Sequence, residues 1–259
     1  MPNPNINRRV ILSGENYTSA AQSYFTAAEI TDANQKRAYN NLVVSGLADG
    51  WYSKMIALYP VLGGTSSSCS YNAINTSLYN LTFSGGNTFS ANGWMPNGIN
   101  GFANTGLNVG SVLNPVSHSF GIYSRTNSTS GTQVYGAFQT SILQNNLCSA
   151  NLISGDPALN PINYTGNPST RLILLSRESS TSSKGYRNGT LLGTDIASFT
   201  TWTLSREFYF GARNFGGAAS LFMVHEHALM FLASALTPTD VANFTTAVNT
   251  FQTALGRNV

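Results

Sequence analysis

Four stretches toward the C-terminus decide the fold: Tyr186-Arg187-Asn188-Gly189, Phe208-Tyr209-Phe210-Gly211, the apolar run Leu221–Leu232, and Ala235-Leu236-Thr237-Pro238-Thr239-Asp240. Asn-Gly takes the two positive φ angles of a type I′ turn most readily. Placed between Leu172–Arg177/Lys184–Tyr186 and Leu191-Leu192, it predicts a β-hairpin. Arg206–Gly211 alternates polar and aromatic side chains as a half-buried strand does. Leu221–Leu232 reads as a strand covered on both faces by a second sheet.

The period then changes. Thr237 is a helix N-cap, Pro238 occupies the first turn where its missing N–H costs nothing, and Asp240 lies near the positive end of the helix dipole. Val241, Phe244, Val248, Phe251 and Leu255 recur at intervals of three and four, and Gly256 is the stop. This stripe suits packing on the chain's own sandwich better than a trimer seam.

In this order the four stretches resemble the end of laminin-G-like modules of the concanavalin A-like jelly-roll superfamily. Such modules have an Asn-Gly hairpin, a strand ending near Gly-Gly-Arg, and a long strand closed by an Ala-Leu-Thr corner and a short helix. The matching residues are Tyr186–Gly189, Phe210-Gly211-Ala212-Arg213 and Ala235–Asp240. Met230 and His227-Ala228 stand where those modules place charged residues, so calcium binding does not carry over.

Composition agrees with an all-β chain. Of 259 residues only 9% are charged, the net charge is +3, and polarity comes from amides and hydroxyls in turn-forming clusters. The basic residues are dispersed, with close pairs only at Arg8-Arg9 and Lys36-Arg37, which excludes an electrostatic nucleic-acid footprint. No apolar run reaches membrane-spanning length, and no apolar segment follows Arg8-Arg9 as a secretory signal would require. Cys69 and Cys148 lack CxxC or histidine partners and are read as thiols, with a single disulfide as the alternative.

Residues 1–30 read as an arm, with Arg8, Arg9, Tyr24 and Phe25 as candidate assembly contacts. A helix follows from Thr31-Asp32, with Ala38, Leu42, Val43 and Leu47 on one side and Asp49-Gly50 at its end. Trp51–Leu62 reads as the first strand. The expected domains are therefore 1–50, an arm and helix for docking or oligomerisation, and 51–259, the sandwich with its C-terminal helix. Thr31–Thr65 and Leu81–Asn108 also resemble structural proteins of tailed bacteriophages, in which a helix leads into a Trp-x-Lys-x-x-Ala-x-Tyr-Pro strand, a Gly-Gly-Thr loop and an Asn-Gly-rich stretch. That resemblance implies a virion component, assembled in the host cytoplasm with other virion proteins, as a homo-oligomer.

The chemistry-bearing residues are sparse. His225 and His227 would share one face of a strand, but no third ligand is near, so no metal and no cofactor is expected. The acids are isolated, without the paired carboxylates of a jelly-roll glycosidase, and no serine sits in Gly-x-Ser-x-Gly; an enzyme is not expected. Host-surface glycan is the competing partner, because sugar sites combine aromatic faces with amides and hydroxyls. Trp94, Asn97, Tyr186, Asn188 and Trp202 are the candidate contacts, weighed against ordinary aromatic packing.

Overall fold

The computed structural model describes residues 16–126, 170–196, 198, 200, 201 and 206–259, and the backbone alone of five short strands between 136 and 163. Two helices come first, α1 (Ser19–Ala27) and α2 (Ala33–Asp49), then β1 (Met55–Tyr59) and a short α3 (Ser66–Ser70). Next are β2 (Thr82–Ser84), β3 (Asn87–Ser90), β4 (Gly93–Pro96), β5 (Phe102–Asn108), α4 (Val109–Val112) and β6 (His118–Ser124). The backbone-only strands are β7 (Gly136–Gln139), β8 (Leu143–Gln144), β9 (Asn146–Ser149), β10 (Leu152–Ser154) and β11 (Ile162–Asn163). The chain closes with β12 (Arg171–Ser179), β13 (Ser182–Arg187), β14 (Thr190–Asp195), β15 (Glu207–Phe210), β16 (Arg213–Phe215), β17 (Ala218–Ser220), β18 (His227–Ala233) and α5 (Pro238–Ala254).

The larger sheet runs β14-β13-β12-β6-β18-β4-β3, with β1 also on β18; the smaller runs β17-β16-β7-β15-β5-β2, with β8 on β7. All pairs are antiparallel except β16 with β7. Phe120, Ile122, Ile173, Leu175, Met230 and Leu232 of the larger sheet face Ala103, Leu107, Phe208 and Phe210 of the smaller, forming the inter-sheet core. The alternate residues Tyr123, Leu172, Leu174, Leu229 and Phe231 form a second core with α1, α2 and α5. Every residue of β6 and β18 is buried for that reason. The central strands are thus covered by a sheet on one side and by helices on the other, where a second sheet alone was expected.

Several local expectations hold. Asn188 and Gly189 take φ of +47° and +81° and join β13 to β14 with Arg187 opposite Thr190. The Thr237 hydroxyl accepts from the Asp240 amide at 3.2 Å, Asp240 Oδ2 accepts from the Thr237 amide at 2.7 Å, and Lys54 Nζ meets the same carboxylate at 2.5 Å. Along α5, Val241, Phe244, Val248 and Phe251 are buried against the sandwich. Asp32 caps α2, and Gly50 ends it at φ +83°.

Others need correction. Within 1–30, residues 19–27 form α1, capped by the Thr18 hydroxyl, with Ala21, Tyr24 and Phe25 buried. The core they join also contains α2, β1 and α5, so it spans the boundary expected at residue 50. The first strand is short: Tyr52–Lys54 form a 3₁₀ turn before β1. The outer edge of β1 is satisfied by buried Asn72, whose side chain accepts from the Leu58 amide at 3.0 Å and donates to the Ile56 carbonyl at 3.2 Å. The last strand begins only at His227, because Leu221 turns left-handed at φ +53° and the Met223 amide bonds to the Gly211 carbonyl. Cys69 is a buried free thiol 3.3 Å from the Leu62 carbonyl; the Cys148 side chain lies outside the described residues.

Candidate functional site

Of the residues expected to touch glycan, the four that are described do not converge. Trp94 is fully buried: its Nε1 donates to Asn87 Oδ1 at 2.8 Å, and its ring lies 4.9 Å from His227 and 5.2 Å from Phe83. Gly211, at φ +77°, closes over it so tightly that a Cβ there would stand 2.8 Å from the indole. No face of Trp94 is left for a sugar ring. Asn97 is exposed, but its Oδ1 accepts from the amides of Ile99, Asn100 and Gly101, and its Nδ2 donates to Asn100 Oδ1. It fixes its own loop. Tyr186 is 4% exposed and belongs to the core under the helices, and Asn188 Oδ1 accepts from Asn249 of α5 at 2.9 Å. Trp202 lies outside the described residues.

The expected assembly contacts are corrected in the same way. Tyr24 and Phe25 pack inside the chain, with Tyr24 4.9 Å from Tyr39 and Phe25 5.1 Å from Tyr17. Arg8 and Arg9 lie outside the described residues. The histidines do not share a strand face either. His225 precedes β18 and its Nδ1 meets Ser124 Oγ at 3.2 Å, while His227 sits on Trp94. Among the described residues no group of three or more His, Cys, Asp or Glu could hold a metal ion, and no helix is long and apolar enough to cross a membrane.

The structure brings together a different set. The helices occupy the outer face of the larger sheet; on the outer face of the smaller sheet, Phe102 and Tyr209 belong to neither core. Because Ala103, Leu107, Phe208 and Phe210 point inward, the period-2 geometry sends Phe102, Asn104, Glu207 and Tyr209 outward. Thr82, Asn104, Tyr209, Gly136 and Arg213 stand opposite one another across β2, β5, β15, β7 and β16. The Phe102 and Tyr209 rings stack with centroids 4.8 Å apart and planes at 28°. Tyr209 is 7% exposed and backs Phe102, which is half-buried.

Beside this stack, Asn104 Nδ2 donates to Glu207 Oε2 at 2.6 Å, and Asn104 Oδ1 accepts from the Gly106 amide at 2.8 Å. The amide is therefore held in one orientation, and it in turn aims the carboxylate. Burial raises the Tyr209 hydroxyl above its ordinary pKa, with the Glu207 charge adding to the effect, so the phenol stays protonated as a donor at neutral pH. A stacked aromatic pair next to an oriented carboxylate–amide pair offers an apolar face and directional polar partners to a polyhydroxylated ring. The sequence signal for this site was the alternation itself: in Phe102-Ala-Asn104 and Glu207-Phe-Tyr209 the residues flanking the core positions form the outer face.

No family model matches the chain, and no curated protein matches it. Among solved structures, it is similar to domain 4 of an extracellular arabinanase from Geobacillus stearothermophilus, in complex with arabinotriose, at 14% identity over 74% of this chain and 98% of that one, with a TM-score of 0.52. A Trypanosoma rangeli sialidase mutant displaying trans-sialidase activity follows at 11% identity, 83% of this chain, 39% of that one and TM-score 0.47. The binding domain of botulinum neurotoxin serotype D follows at 14%, 75%, 52% and 0.45. At this identity the likeness to the arabinanase domain shows a shared β-sandwich fold, and the fold assignment rests on that structure alone.

Proposed function

We propose that this protein is a non-enzymatic, lectin-like sandwich that binds glycan on the outer face of its smaller sheet. The observation that carries the reading is the Asn104–Glu207 pair set beside the Phe102–Tyr209 stack, on a face the helical layer does not cover. The site replaces the contacts expected from sequence. The concanavalin A-like jelly-roll resemblance of the C-terminal stretches agrees with it, and the arabinanase domain solved with arabinotriose is a sandwich of related fold. The test is a glycan array probed with the wild type, Phe102→Ala and Asn104→Ala. Retained glycans should bind each variant at least about tenfold more weakly, as loss of one stacking or directional polar contact implies, while both variants keep the wild-type circular dichroism spectrum. If wild type retains no glycan, or neither change weakens retention, the reading is wrong.

The phage-like stretches Thr31–Thr65 and Leu81–Asn108 favour a setting for this activity: a structural component of a tailed-phage particle, where a sandwich displayed outward would meet host-surface glycan. The burial of Tyr24 and Phe25 moves any assembly contact away from them. Mass spectrometry of purified particles from a host carrying the gene tests the setting, with stoichiometric recovery of the chain expected. Recovery only from the soluble lysate would overturn it.

A further inference from the structure

We infer that Glu207 makes the outer face selective for uncharged glycans, accepting hydroxyl donors from a neutral sugar and repelling one that carries a carboxylate. The inference rests on the glycan-binding reading and adds the class of ligand.

The geometry supplies the acceptor. Glu207 Oε2 is taken by the Asn104 amide at 2.6 Å, and Asn104 is locked by Gly106. Glu207 Oε1 accepts no hydrogen bond among the described residues. A half-buried carboxylate oxygen held beside an aromatic stack is complementary to hydroxyl donors on a ring lying against Phe102.

Among the described residues the carboxylate's hydrogen-bond partner is the neutral Asn104 amide, with no Lys, Arg or His paired to it. No Asp, Glu, Lys or Arg occurs from Met55 to Ser124, so β2 and β5 contribute only neutral side chains to the face. Among the described residues Arg213 is the cation on the same face, and its Nε donates to Ser220 Oγ at 3.2 Å while its guanidinium lies 4.7 Å over the Phe215 ring. The register puts Arg213 two strands from Glu207 and two residues along. Arg206, the residue before Glu207, has its Nε buried and its carbonyl bonded to the Val109 amide. A ligand carboxylate about 6 Å from Glu207, at an effective dielectric between protein surface and water, loses roughly tenfold in affinity.

The experiment titrates wild type and Glu207→Gln with neutral gluco-, manno- and galacto-oligosaccharides and with the same oligomers oxidised at C6 to uronic acids, at about 20 and 500 mM salt. Wild type should bind the neutral member of the retained pair about tenfold tighter than its uronic form, with the gap narrowing at high salt. Glu207→Gln, which keeps size and a carbonyl acceptor, should bring the two forms to within about twofold. Equal or tighter binding of the uronic form by wild type, or an unchanged ratio in Glu207→Gln, overturns the inference while leaving glycan binding intact. Failure of wild type to bind either form overturns the glycan reading, and this inference with it.

Discussion

Arg257 Nη1 donates a 2.9 Å hydrogen bond to the carbonyl oxygen of Val61, a β-branched residue held at φ +49°. The same guanidinium reaches the carbonyls of Pro60 and Ala228 and the Gln252 side chain, and lies 5.3 Å over Phe251. It is 1% exposed, and its hydrogen-bond acceptors are oxygens of neutral groups. Burial lowers its pKa to about 10, so it stays charged at neutral pH. One side chain thus ties the end of α5 to the end of β1 and to β18, and holds a left-handed valine that the backbone alone disfavours.

Removing this tie should be costly. Arg257→Leu orphans the buried Pro60 and Val61 carbonyls, leaves that of Ala228 with the Gln252 amide alone, and is expected to lower stability by about 3 kcal/mol or more. Arg257→Lys should recover little of it, because an ammonium cannot reproduce the planar fork of donors. Urea unfolding of both variants tests this; a loss below about 1 kcal/mol for Arg257→Leu would show that the tie is dispensable.

Trp94 and Phe102 should separate packing from binding. Trp94→Ala removes a fully buried indole and should cost about 3–5 kcal/mol. Phe102→Ala, at a half-buried outer position, should cost about 1 kcal/mol. Thermal melts decide between them, and equal destabilisation would move Phe102 into the core.

Acid should unfold the protein through its histidines. Burial lowers His118 to about 4, His225 to about 4, and His227, with the charge of His225 adding to the effect, to about 3, against 6.5 in an unfolded chain. The unfolded state therefore takes up protons first. Stability is full above pH 6.5 and falls as pH drops through 6.5 toward 4, by up to about 1.4 kcal/mol per pH unit for each histidine. Urea midpoints measured from pH 8 to 4 should show this fall, and His225→Gln should flatten it. A profile flat down to pH 4.5 would contradict the buried neutral state.

Deleting residues 1–30 should destabilise the molecule rather than release a folded sandwich. The deletion removes Ala21, Tyr24, Phe25, Ala28 and Ile30, each at most 3% exposed, and uncovers Tyr39. Loss of the two aromatic side chains alone is worth about 3 kcal/mol each. A truncated chain that stays soluble with an unchanged melting temperature would restore the detachable arm.

By itself, the sequence determined those elements whose causes are local. Asn188-Gly189 fixes its turn because few other pairs take two positive φ angles, and Thr237, Pro238 and Asp240 start α5 because orphan N–H groups need their partners. The alternation in Arg206–Gly211 marked a half-buried strand. Tertiary structure decided which face each residue met. Trp94 is core because Gly211 and His227 close over it, contacts far apart in sequence. Tyr24 and Phe25 are core because α2 packs on them, with the Tyr39 ring 4.9 Å from Tyr24 and 5.9 Å from Phe25. Asn104 and Glu207, 103 residues apart, became a pair only through the register of β5 on β15. A strand's pattern gives two faces without saying which is outward, and that choice belongs to the layer that packs against it.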